Sequence, residues 1–453
     1  MSIDKFVDIS RENGHYFANR DGSTYLPIGL NLCFYRNSEN VPEETVLETY
    51  RRWFTNFAAN GGNFVRIWLG IPFFDIMPDK LGEFSEKNLS HIRFIIELAE
   101  KLNIKLKFTF EHFRRVEEVG RDAESFPGAA NFNKPIYAGI ASNIREYLKS
   151  PECREYYLLK ARKMAEAGFG DSPAVIAWEL WNEINCIGGI DIIREWSDFM
   201  IAELKKIFPK QMILQNLGSF SGPMGYLWYD YLASVKDNAF MQAHRYLDPA
   251  GHLDICHGPL DISSADAIRE LRDRRQDVPA ILAEVGATEA NHSSASHYYA
   301  LDSRGTLLHD ALFAPFFAGS AGCGQFWHWD YMYIERHDLY WHFKRFANAL
   351  EGVDPVKEDF KPFHTASRRL RIYGLRGKSM ILLWCRDKEN TYEKELDRCQ
   401  PPQSVTGEIV NSEDAKECIC YFPWEDTHAT AKIDHGWAIL PEFKRSLVVK
   451  LLK

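Results

Sequence analysis

The sequence predicts an α/β protein, a (β/α)8 TIM barrel followed by a small C-terminal β-sandwich. Eight short apolar runs alternate with amphipathic helical patterns over roughly the first 340 residues, and this alternation is typical of a parallel barrel. After Pro355 the apolar runs follow one another without helical patterns between them, as they do in antiparallel all-β domains. We therefore predict a barrel at 1–360 and a β-sandwich at 361–453.

The N-terminal part of the barrel is predicted from its hydrophobic periodicity. Residues 6–25 have the alternation of a hairpin with a turn at 19–22. A helical pattern then begins at Pro42 and stops at Gly61 and Gly62, because proline suits a first helical turn and glycine a helix end. The first three barrel strands are predicted at 26–31, 64–68 and 104–110, and the second helix at about 88–102.

The same alternation continues to the end of the predicted barrel. Each helix carries apolar residues three or four positions apart, as in the segment 190–208, which Pro209 ends. The remaining barrel strands are predicted at 175–180, 212–217, 239–244, 280–284 and 325–329. The remaining helices are predicted at about 152–167, 263–274, 297–318 and 338–350. Strands of the sandwich are predicted at 370–373, 380–385, 418–422, 431–439 and 447–452.

Two of the predicted barrel strands lead into a glutamate. The run 175–180 is followed by Asn182 and Glu183, and the run from Ala280 ends in Glu284. The C-terminal strand ends of a barrel form its active site, and two carboxylates at one site are what glycoside hydrolysis requires. The polar and aromatic residues predicted at these strand ends are Asn31, Arg66, His112, Asn182, Glu183, His244, Tyr246, Glu284, Trp327 and Trp329, with Asp330 directly after them.

This set of residues, in this order and spacing, resembles the clan A glycoside hydrolases, and family 5 most closely. The resemblance covers residues 10–350. It implies that Glu183, which follows an asparagine at the end of strand four, is the acid/base group. It also implies that Glu284, at the end of strand seven, is the nucleophile. In a retaining enzyme of this kind the two carboxyls lie about 5–5.5 Å apart, and a covalent glycosyl intermediate forms.

These implied roles set electrostatic requirements for the two glutamates. Glu183 must begin protonated, so its pKa has to be raised by apolar neighbours and by the charge of Glu284. Glu284 must stay ionised, and we expect Arg66 and the Tyr246 hydroxyl to stabilise its charge. Two further glutamates are predicted to be structural partners for arginines, namely Glu111 and Glu179.

The other residues at the predicted strand ends are implied to bind the sugar. Asn182 is expected to hold the 2-hydroxyl, where hydrogen bonds tighten in the transition state. Trp327 or Trp329 is expected to form the floor under the ring in the first subsite. Asp330 is either a ligand of a sugar hydroxyl or the cap of a loop. The other predicted substrate-binding residues are Arg66, His112, His244 and Tyr246.

Composition and motifs exclude several other classes of function. The formal net charge of −9 argues against nucleic acid or an anionic membrane as a partner. No phosphate-cradling glycine loop is present, and the first strand offers neither His-x-His nor a carboxylate, so we expect no cofactor and no metal. The N-terminus lacks the pattern of a signal peptide, and the nine cysteines are scattered without a CxxC spacing, so a cytoplasmic location is predicted.

The sequence therefore predicts a retaining β-glycosidase that acts on an oligosaccharide or glycoside. A cytoplasmic enzyme meets imported oligosaccharides, which favours exo action in a pocket closed by the long connection 113–150. The resemblance favours mannose over glucose. The alternatives are endo-mannanase or cellulase action, a non-catalytic carbohydrate-binding protein on the same scaffold, and a metal-dependent hydrolase that uses His112 and His244. The oligomeric state stays open.

Overall fold

The computed structural model describes residues 5–112, 114–116, 133–219, 221–222, 224–292 and 294–453. Within it the chain divides into two compact units. The first unit comprises residues 1–8, 18–23 and 29–244, and the second comprises residues 9–17, 24–28 and 245–453. The predicted boundary at residue 360 is a different division, and it stays a prediction.

The chain begins with three short strands. They are β1 (Val7–Ile9), β2 (Phe17–Asn19) and β3 (Thr24–Tyr25). Between β2 and β3 the Asn19 backbone N–H donates to the Ser23 carbonyl oxygen at 2.8 Å. Gly22, inside this turn, has a φ of +90°, which glycine adopts without a steric penalty. The predicted hairpin is confirmed.

The first unit is built on a five-stranded parallel sheet. Its strands, in spatial order, are β4 (Gly29–Asn31), β5 (Phe64–Trp68), β6 (Lys105–His112), β7 (Val175–Asn182) and β8 (Met212–Leu214). Every residue of these five strands is buried, as expected for a parallel sheet that is covered on both faces. The register pairs Asn31 with Arg66 and His112 with Asn182, so these four predicted site residues lie at one edge of the sheet.

Helices connect these strands. They are α1 (Glu43–Ala59), α2 (Glu86–Leu102), α3 (Ile144–Lys149), α4 (Pro151–Glu166), α5 (Ile190–Ile207) and α6 (Gly225–Ser234). Four of them lie close to predicted segments. Two were not predicted, namely α6, which lies in a gap between two predicted strands, and α3, which lies inside the connection 113–150. Its Asn143 cap accepts a hydrogen bond from the Glu146 N–H at 2.9 Å. A six-residue helix is too short to show a periodic apolar pattern, which explains the omission. Residues 113 and 117–132 of this connection lie outside the described residues.

The second unit begins within β9 (Met241–Leu247) and continues with β10 (Ala280–Ala287). Its helices are α7 (Leu260–Arg274), α8 (Tyr298–Leu301), α9 (Thr306–Phe317), α10 (Trp341–Ala349) and α11 (Pro355–Glu358). The predicted single helix at 297–318 is wrong, because Gly305 has a φ of +75° and separates α8 from α9. In the part of the chain that the structure describes, no helix combines the length and apolarity that crossing a membrane requires.

The predicted strand at 325–329 is also not a regular strand. Phe326 forms one parallel bridge with Val285, and the Trp327 N–H donates to the Val285 carbonyl oxygen at 2.8 Å. His328 then has a φ of +70°, in the left-handed region that interrupts an extended chain. The extended segment therefore stops one residue after the bridge, and Trp329 lies beyond it.

The C-terminal part of the second unit is antiparallel. Its strands are β11 (Lys361–Ala366), β12 (Leu370–Arg376), β13 (Met380–Asp387), β14 (Ser404–Val405), β15 (Ile409–Asn411), β16 (Glu417–Phe422), β17 (Thr427–Thr430), β18 (Ile433–Asp434), β19 (Trp437–Ile439), β20 (Phe443–Lys444) and β21 (Ser446–Leu452). A six-stranded sheet has the order β11-β12-β13-β21-β16-β17, and two smaller sheets pair β14 with β20 and β15 with β19 and β18. The predicted strand 431–439 is two strands, because His435 and Gly436 both have positive φ angles and form a tight hairpin turn.

Buried ion pairs join these strands to two helices of the same unit. The Asp261 carboxylate on α7 accepts from Arg371 Nε at 2.6 Å and Nη2 at 2.9 Å, and from the Tyr373 hydroxyl at 2.8 Å. The Asp310 carboxylate on α9 accepts from Arg386 Nε at 2.7 Å and Nη2 at 3.1 Å. Bidentate arginine–carboxylate pairs fix orientation as well as distance, so they set how the antiparallel strands pack on α7 and α9.

Candidate active site

In the first unit, Arg66 lies at the centre of a buried polar network. Its side chain is fully buried, and its Nη2 donates to Glu179 Oε1 at 2.5 Å and to Asn182 Oδ1 at 2.6 Å. The Asn182 side-chain oxygen is therefore occupied by Arg66, and the amide nitrogen is the atom that this residue turns to other partners. Within its own unit Arg66 therefore orients Asn182, and the expected stabilisation of Glu284, which belongs to the other unit, stays a prediction.

Glu179 is the counter-charge beneath Arg66. Its carboxylate also accepts from Lys107 Nζ at 2.8 Å, Gln242 Nε2 at 2.6 Å and the Thr109 hydroxyl at 2.9 Å. Burial opposes ionisation of Glu179, but the charges of Arg66 and Lys107 outweigh it and hold its pKa well below the ordinary value. The predicted structural role of Glu179 is confirmed, and it supports the Arg66–Asn182 contact.

Glu111 has the second predicted structural role. Its carboxylate accepts from Arg114 Nε at 2.6 Å and from Lys160 Nζ at 2.5 Å, and both partners are buried. Asp75 completes this cluster, because its carboxylate accepts from Arg114 Nη2 at 2.6 Å. The prediction that Glu111 pairs with an arginine is confirmed.

His112 follows Glu111 at the end of β6 and is an uncharged group. Its ring is buried, and its centroid lies 4.2 Å from that of the Trp68 ring. Burial, with the charges of Arg66 and Arg114, lowers the pKa of His112 to about 3. A neutral imidazole at this edge of the sheet suits hydrogen bonding to a sugar hydroxyl better than charge stabilisation.

Glu183 follows β7 directly and has an unusual backbone conformation. Its φ is +50° and its ψ is +49°, in the left-handed region that costs a non-glycine residue free energy and is found at functional sites. Its backbone N–H donates to Asn216 Oδ1 at 3.2 Å. A Cβ added to Gly218 would lie 3.1 Å from Cδ of Glu183, so glycine lets the backbone approach this carboxyl closely.

The electrostatic setting of Glu183 favours the protonated carboxyl. Its side chain is 19% exposed. Burial raises its pKa to about 7, against the opposing effects of the Arg66 charge and a hydrogen bond from the Ser219 backbone, and the Glu179 charge adds to the rise. Burial is the largest cause, as the sequence predicted from apolar neighbours. At neutral pH a substantial fraction of Glu183 therefore carries a proton. The predicted contribution from the charge of Glu284, which belongs to the other unit, stays a prediction.

His244 contacts this same carboxyl. Its Nδ1 lies 2.6 Å from Glu183 Oε1, and its Nε2 lies 2.8 Å from Asn216 Nδ2. His244 was predicted to bind substrate. The structure places its ring between Glu183 and Asn216, where it contacts the carboxyl. Its contact with a substrate stays a prediction.

In the second unit, Glu284 and Tyr246 form a hydrogen-bonded pair. The Tyr246 hydroxyl donates to Glu284 Oε2 at 2.6 Å, and Glu284 is only 3% exposed. The predicted contact between this hydroxyl and the glutamate is confirmed. Tyr299 supports the strand beside it, because its hydroxyl accepts from the Ala287 N–H at 2.6 Å and leaves no room for a side chain at Gly286.

The two tryptophans after Phe326 have different exposures. Trp329 is fully buried, whereas Trp327 is half-buried and packs edge-on against it, with ring centroids 5.1 Å apart at 89°. Trp327 is therefore the better candidate for the sugar floor. Asp330 accepts a hydrogen bond from the Met332 N–H at 3.1 Å. This contact agrees with the predicted alternative in which Asp330 caps a loop.

Several residues of these networks were missed in the sequence, among them Lys107, Gln242 and Asn216. Lys107 and Gln242 are polar residues inside otherwise apolar strand runs, and this interruption is a signal that was present in the sequence. Buried polar side chains in a parallel sheet need partners, so both indicated an internal network. Asn216 follows β8 and carries no comparable pattern.

Comparisons with known proteins bear on this site. No family model matches the chain. The mannan endo-1,4-beta-mannosidase 1 of Oryza sativa subsp. japonica is 25% identical over 238 residues, which are 45% of this chain. The aligned region is 52% of that protein, so the chain spans about half the length of this relative.

Two solved structures share the fold over nearly the whole chain. A glycoside hydrolase family 5 structure from Bacteroides vulgatus has a TM-score of 0.60 and 13% identity, covering 99% of this chain and 94% of its own. The endo-beta-1,4-mannanase from Thermotoga petrophila has a TM-score of 0.56 and 14% identity, covering 94% of this chain and 98% of its own. These comparisons confirm the predicted resemblance, and in sequence and fold the chain is similar to glycoside hydrolases of the family 5 type.

Proposed function

We propose that the protein is a retaining glycoside hydrolase that cleaves β-mannosidic bonds, with Glu183 as the acid/base group and Glu284 as the nucleophile. The observation that carries this proposal is the burial that raises the pKa of Glu183 to about 7, as a general acid near neutral pH requires. The Tyr246 hydroxyl donates to one oxygen of Glu284 and so orients the carboxyl that acts as the nucleophile.

In the first step, a Glu284 oxygen attacks the anomeric carbon as the bond from that carbon to the glycosidic oxygen breaks. Glu183 gives its proton to the departing oxygen, and a covalent glycosyl–Glu284 ester forms. Asn182, oriented by Arg66, donates from its amide nitrogen to the 2-hydroxyl, where a hydrogen bond stabilises the transition state.

In the second step, water attacks the anomeric carbon and the bond to Glu284 breaks. Glu183, now a carboxylate, takes a proton from the water, so both glutamates return to their starting states. Glu284 is uncharged while it is esterified, which favours the base form of Glu183 during this step.

This mechanism requires that both glutamates belong to one barrel, and we propose the (β/α)8 barrel at 1–360 and the C-terminal sandwich at 361–453. Backbone contacts inside each unit support the succession of strands after β8. They are Ser219 with His244, Thr288 with Leu247, Val285 with Phe326, and Cys323 with Pro27. The buried apolar cluster shared by the C-terminal sheets supports the sandwich.

The sugar is inferred from the relatives. The rice protein and the Thermotoga protein are both named as mannan-cleaving enzymes, which agrees with the mannose predicted from the sequence. Their names favour endo action, whereas the sequence predicted exo action from a cytoplasmic location, which stays a prediction. Endo-mannanase action is therefore the second candidate, and the length of the oligosaccharide required for turnover distinguishes the two.

The activity is tested with nitrophenyl β-mannoside, β-glucoside and β-galactoside, and with manno- and cello-oligosaccharides of two to six units. We expect wild type to cleave mannosides and Glu284→Gln to lose at least about 10³-fold in kcat/KM. Release of single mannose units from one end supports exo action, and internal cleavage supports endo action. Absence of cleavage of every substrate contradicts the proposal and favours a carbohydrate-binding protein. Loss of activity in EDTA favours the metal-dependent alternative.

A further inference from the structure

The segment 215–219, which follows β8, holds the candidate acid. Its first residue is anchored, because Gln215 Nε2 donates to the Trp181 carbonyl oxygen at 2.6 Å. Asn216 then accepts from the Glu183 backbone N–H, and Ser219 donates to the Glu183 carboxyl. Asn216 is buried, and it contacts both Glu183 and His244.

The directions of these hydrogen bonds follow from one fixed donor. The Glu183 backbone N–H can only donate, so the Asn216 atom 3.2 Å away is its side-chain oxygen. The other atom of that amide is then the NH₂ group, which lies 2.8 Å from His244 Nε2 and can only donate to it. Nε2 must therefore present its lone pair.

The tautomer of His244 follows. A neutral imidazole with a lone pair on Nε2 carries its proton on Nδ1. This Nδ1–H lies 2.6 Å from Glu183 Oε1 and donates to it. Three directed hydrogen bonds thus connect the backbone of Glu183 to its own side chain through Asn216 and His244.

We propose that Asn216 is a positioning residue that keeps His244 neutral with its proton on Nδ1, so that Glu183 Oε1 is always an acceptor and Glu183 Oε2 alone carries the catalytic proton. The inference rests on the proposed function, because it assigns the oxygen through which the acid/base group acts. In the first step the proton leaves Oε2 as the glycosidic oxygen departs, and in the second step Oε2 takes the proton that the attacking water releases. His244 keeps its proton throughout.

The tautomer can be measured without any substrate. Long-range ¹H–¹⁵N correlation spectra of protein labelled with ¹⁵N-histidine distinguish the three forms of an imidazole. The His244 signal is assigned by its disappearance in His244→Gln. Between pH 6 and 8 we expect a protonated Nδ1 and an unprotonated Nε2. A proton on Nε2, or a doubly protonated ring, overturns the proposal whether or not the protein is a glycosidase.

Asn216→Asp tests the chemical consequence with little change in shape. Its carboxylate can accept from both the Glu183 N–H and a protonated Nε2, so His244 becomes an imidazolium that holds Glu183 ionised. The matched control is Asn185→Asp, because Asn185 Oδ1 accepts from the Gly218 N–H at 2.7 Å and an aspartate keeps that bond. The control adds the same charge nearby without contacting His244.

The kinetic measurement compares the loss in kcat/KM on substrates with poor and with good leaving groups. General acid assistance contributes about 10²–10⁴-fold, and a dinitrophenolate leaves without it. For Asn216→Asp we expect at least about a 100-fold loss in kcat/KM on mannobiose or mannotriose and less than about a fivefold loss on dinitrophenyl β-mannoside. Asn185→Asp should change neither substrate by more than about threefold. An equal loss on both substrates, or no loss, contradicts the proposal, whereas a wild type inactive on all mannosides contradicts the proposed function.

Discussion

Buried carboxyl groups have different partners in two regions of this molecule. Around Glu183, in the first unit, a carboxyl is buried so that its pKa rises to about 7, and its backbone is held at a φ of +50°. Where the antiparallel strands pack on α7 and α9, in the second unit, Asp261 and Asp310 are also buried, and burial raises the pKa of Asp310 too. Each of these two carboxylates, however, accepts two hydrogen bonds from one arginine.

On the proposed function, the difference separates a catalytic region from a structural one. The second region satisfies its carboxylates, so removing one partner leaves a buried charge uncompensated. The first region keeps Glu183 in a setting that disfavours its ionised form, which costs stability and supplies a proton near neutral pH. Strain and unfavourable burial that persist in a fold indicate a site where function has been retained at the expense of stability.

The largest effect is expected for Arg66→Met, which removes the cation of the first region. Asn182 Oδ1 loses its partner, and Glu179 keeps Lys107 as its only cation among the contacts described. We expect kcat/KM to fall by about 10³-fold or more, since the 2-hydroxyl contact is lost together with the orientation of Asn182. Activity is measured per folded molecule. Retention of more than about a tenth of the activity would show that Asn182 needs no orientation.

Arg386→Met applies the same change to the second region. Asp310 stays buried without its bidentate partner, so we expect the free energy of unfolding to fall by about 3–5 kcal/mol. Because Arg386 touches none of the candidate catalytic groups, kcat of the folded fraction should stay within about twofold. Urea unfolding and active-site-normalised kinetics check both statements.

The control for this pair is Arg51→Met. Arg51 pairs with Glu48 on α1, and both side chains are about half exposed. An exposed pair contributes at most about 0.5–1 kcal/mol, so this variant should leave both stability and activity nearly unchanged. A loss in the free energy of unfolding comparable to that of Arg386→Met would mean that burial does not determine how much stability is lost when an arginine leaves its ion pair.

A stabilisation, rather than a loss, is expected for Glu183→Gln. The raised pKa means that the unfolded chain ionises this group from about pH 4.5 upward while the folded protein retains the proton to about pH 7. Folding stability from this group therefore falls as pH rises through that window. Glutamine cannot ionise, so the variant should be more stable than wild type by about 1–3 kcal/mol at pH 8 and by much less at pH 5. Equal differences at the two pH values would contradict the raised pKa.

The sequence was sufficient to predict the framework of the site. The apolar runs before Glu183 and Glu284 predicted two buried strands, and β7 and β10 lie there. The C-terminal ends of three predicted strands were misplaced, because β6, β7 and β9 continue through polar residues. An analysis of apolar periodicity ends a strand at its first polar residue. A buried polar side chain that has a hydrogen-bond partner, as Asn182 has in Arg66, does not interrupt the sheet.

The details that depend on contacts in three dimensions were not predictable. The turn at His328 and the break at Gly305 each depend on one positive φ angle. The local sequence pattern does not determine whether either residue adopts that angle. The direction of the bonds among Glu183, Asn216 and His244 follows from which atoms face each other, and residues 183, 216 and 244 are too far apart in the chain for spacing to reveal it.

The most direct test of the central claim is to trap the covalent intermediate. A 2-deoxy-2-fluoro-mannosyl fluoride slows both steps of a retaining enzyme but slows hydrolysis of the intermediate more, so the glycosyl group stays on the nucleophile. Mass spectrometry of the digested protein should find the 2-fluoromannosyl group on the peptide that contains Glu284, and Glu284→Gln should remain unlabelled. Label on any other residue, or turnover of mannosides without a trapped ester, would contradict Glu284 as the nucleophile of a retaining β-mannoside hydrolase.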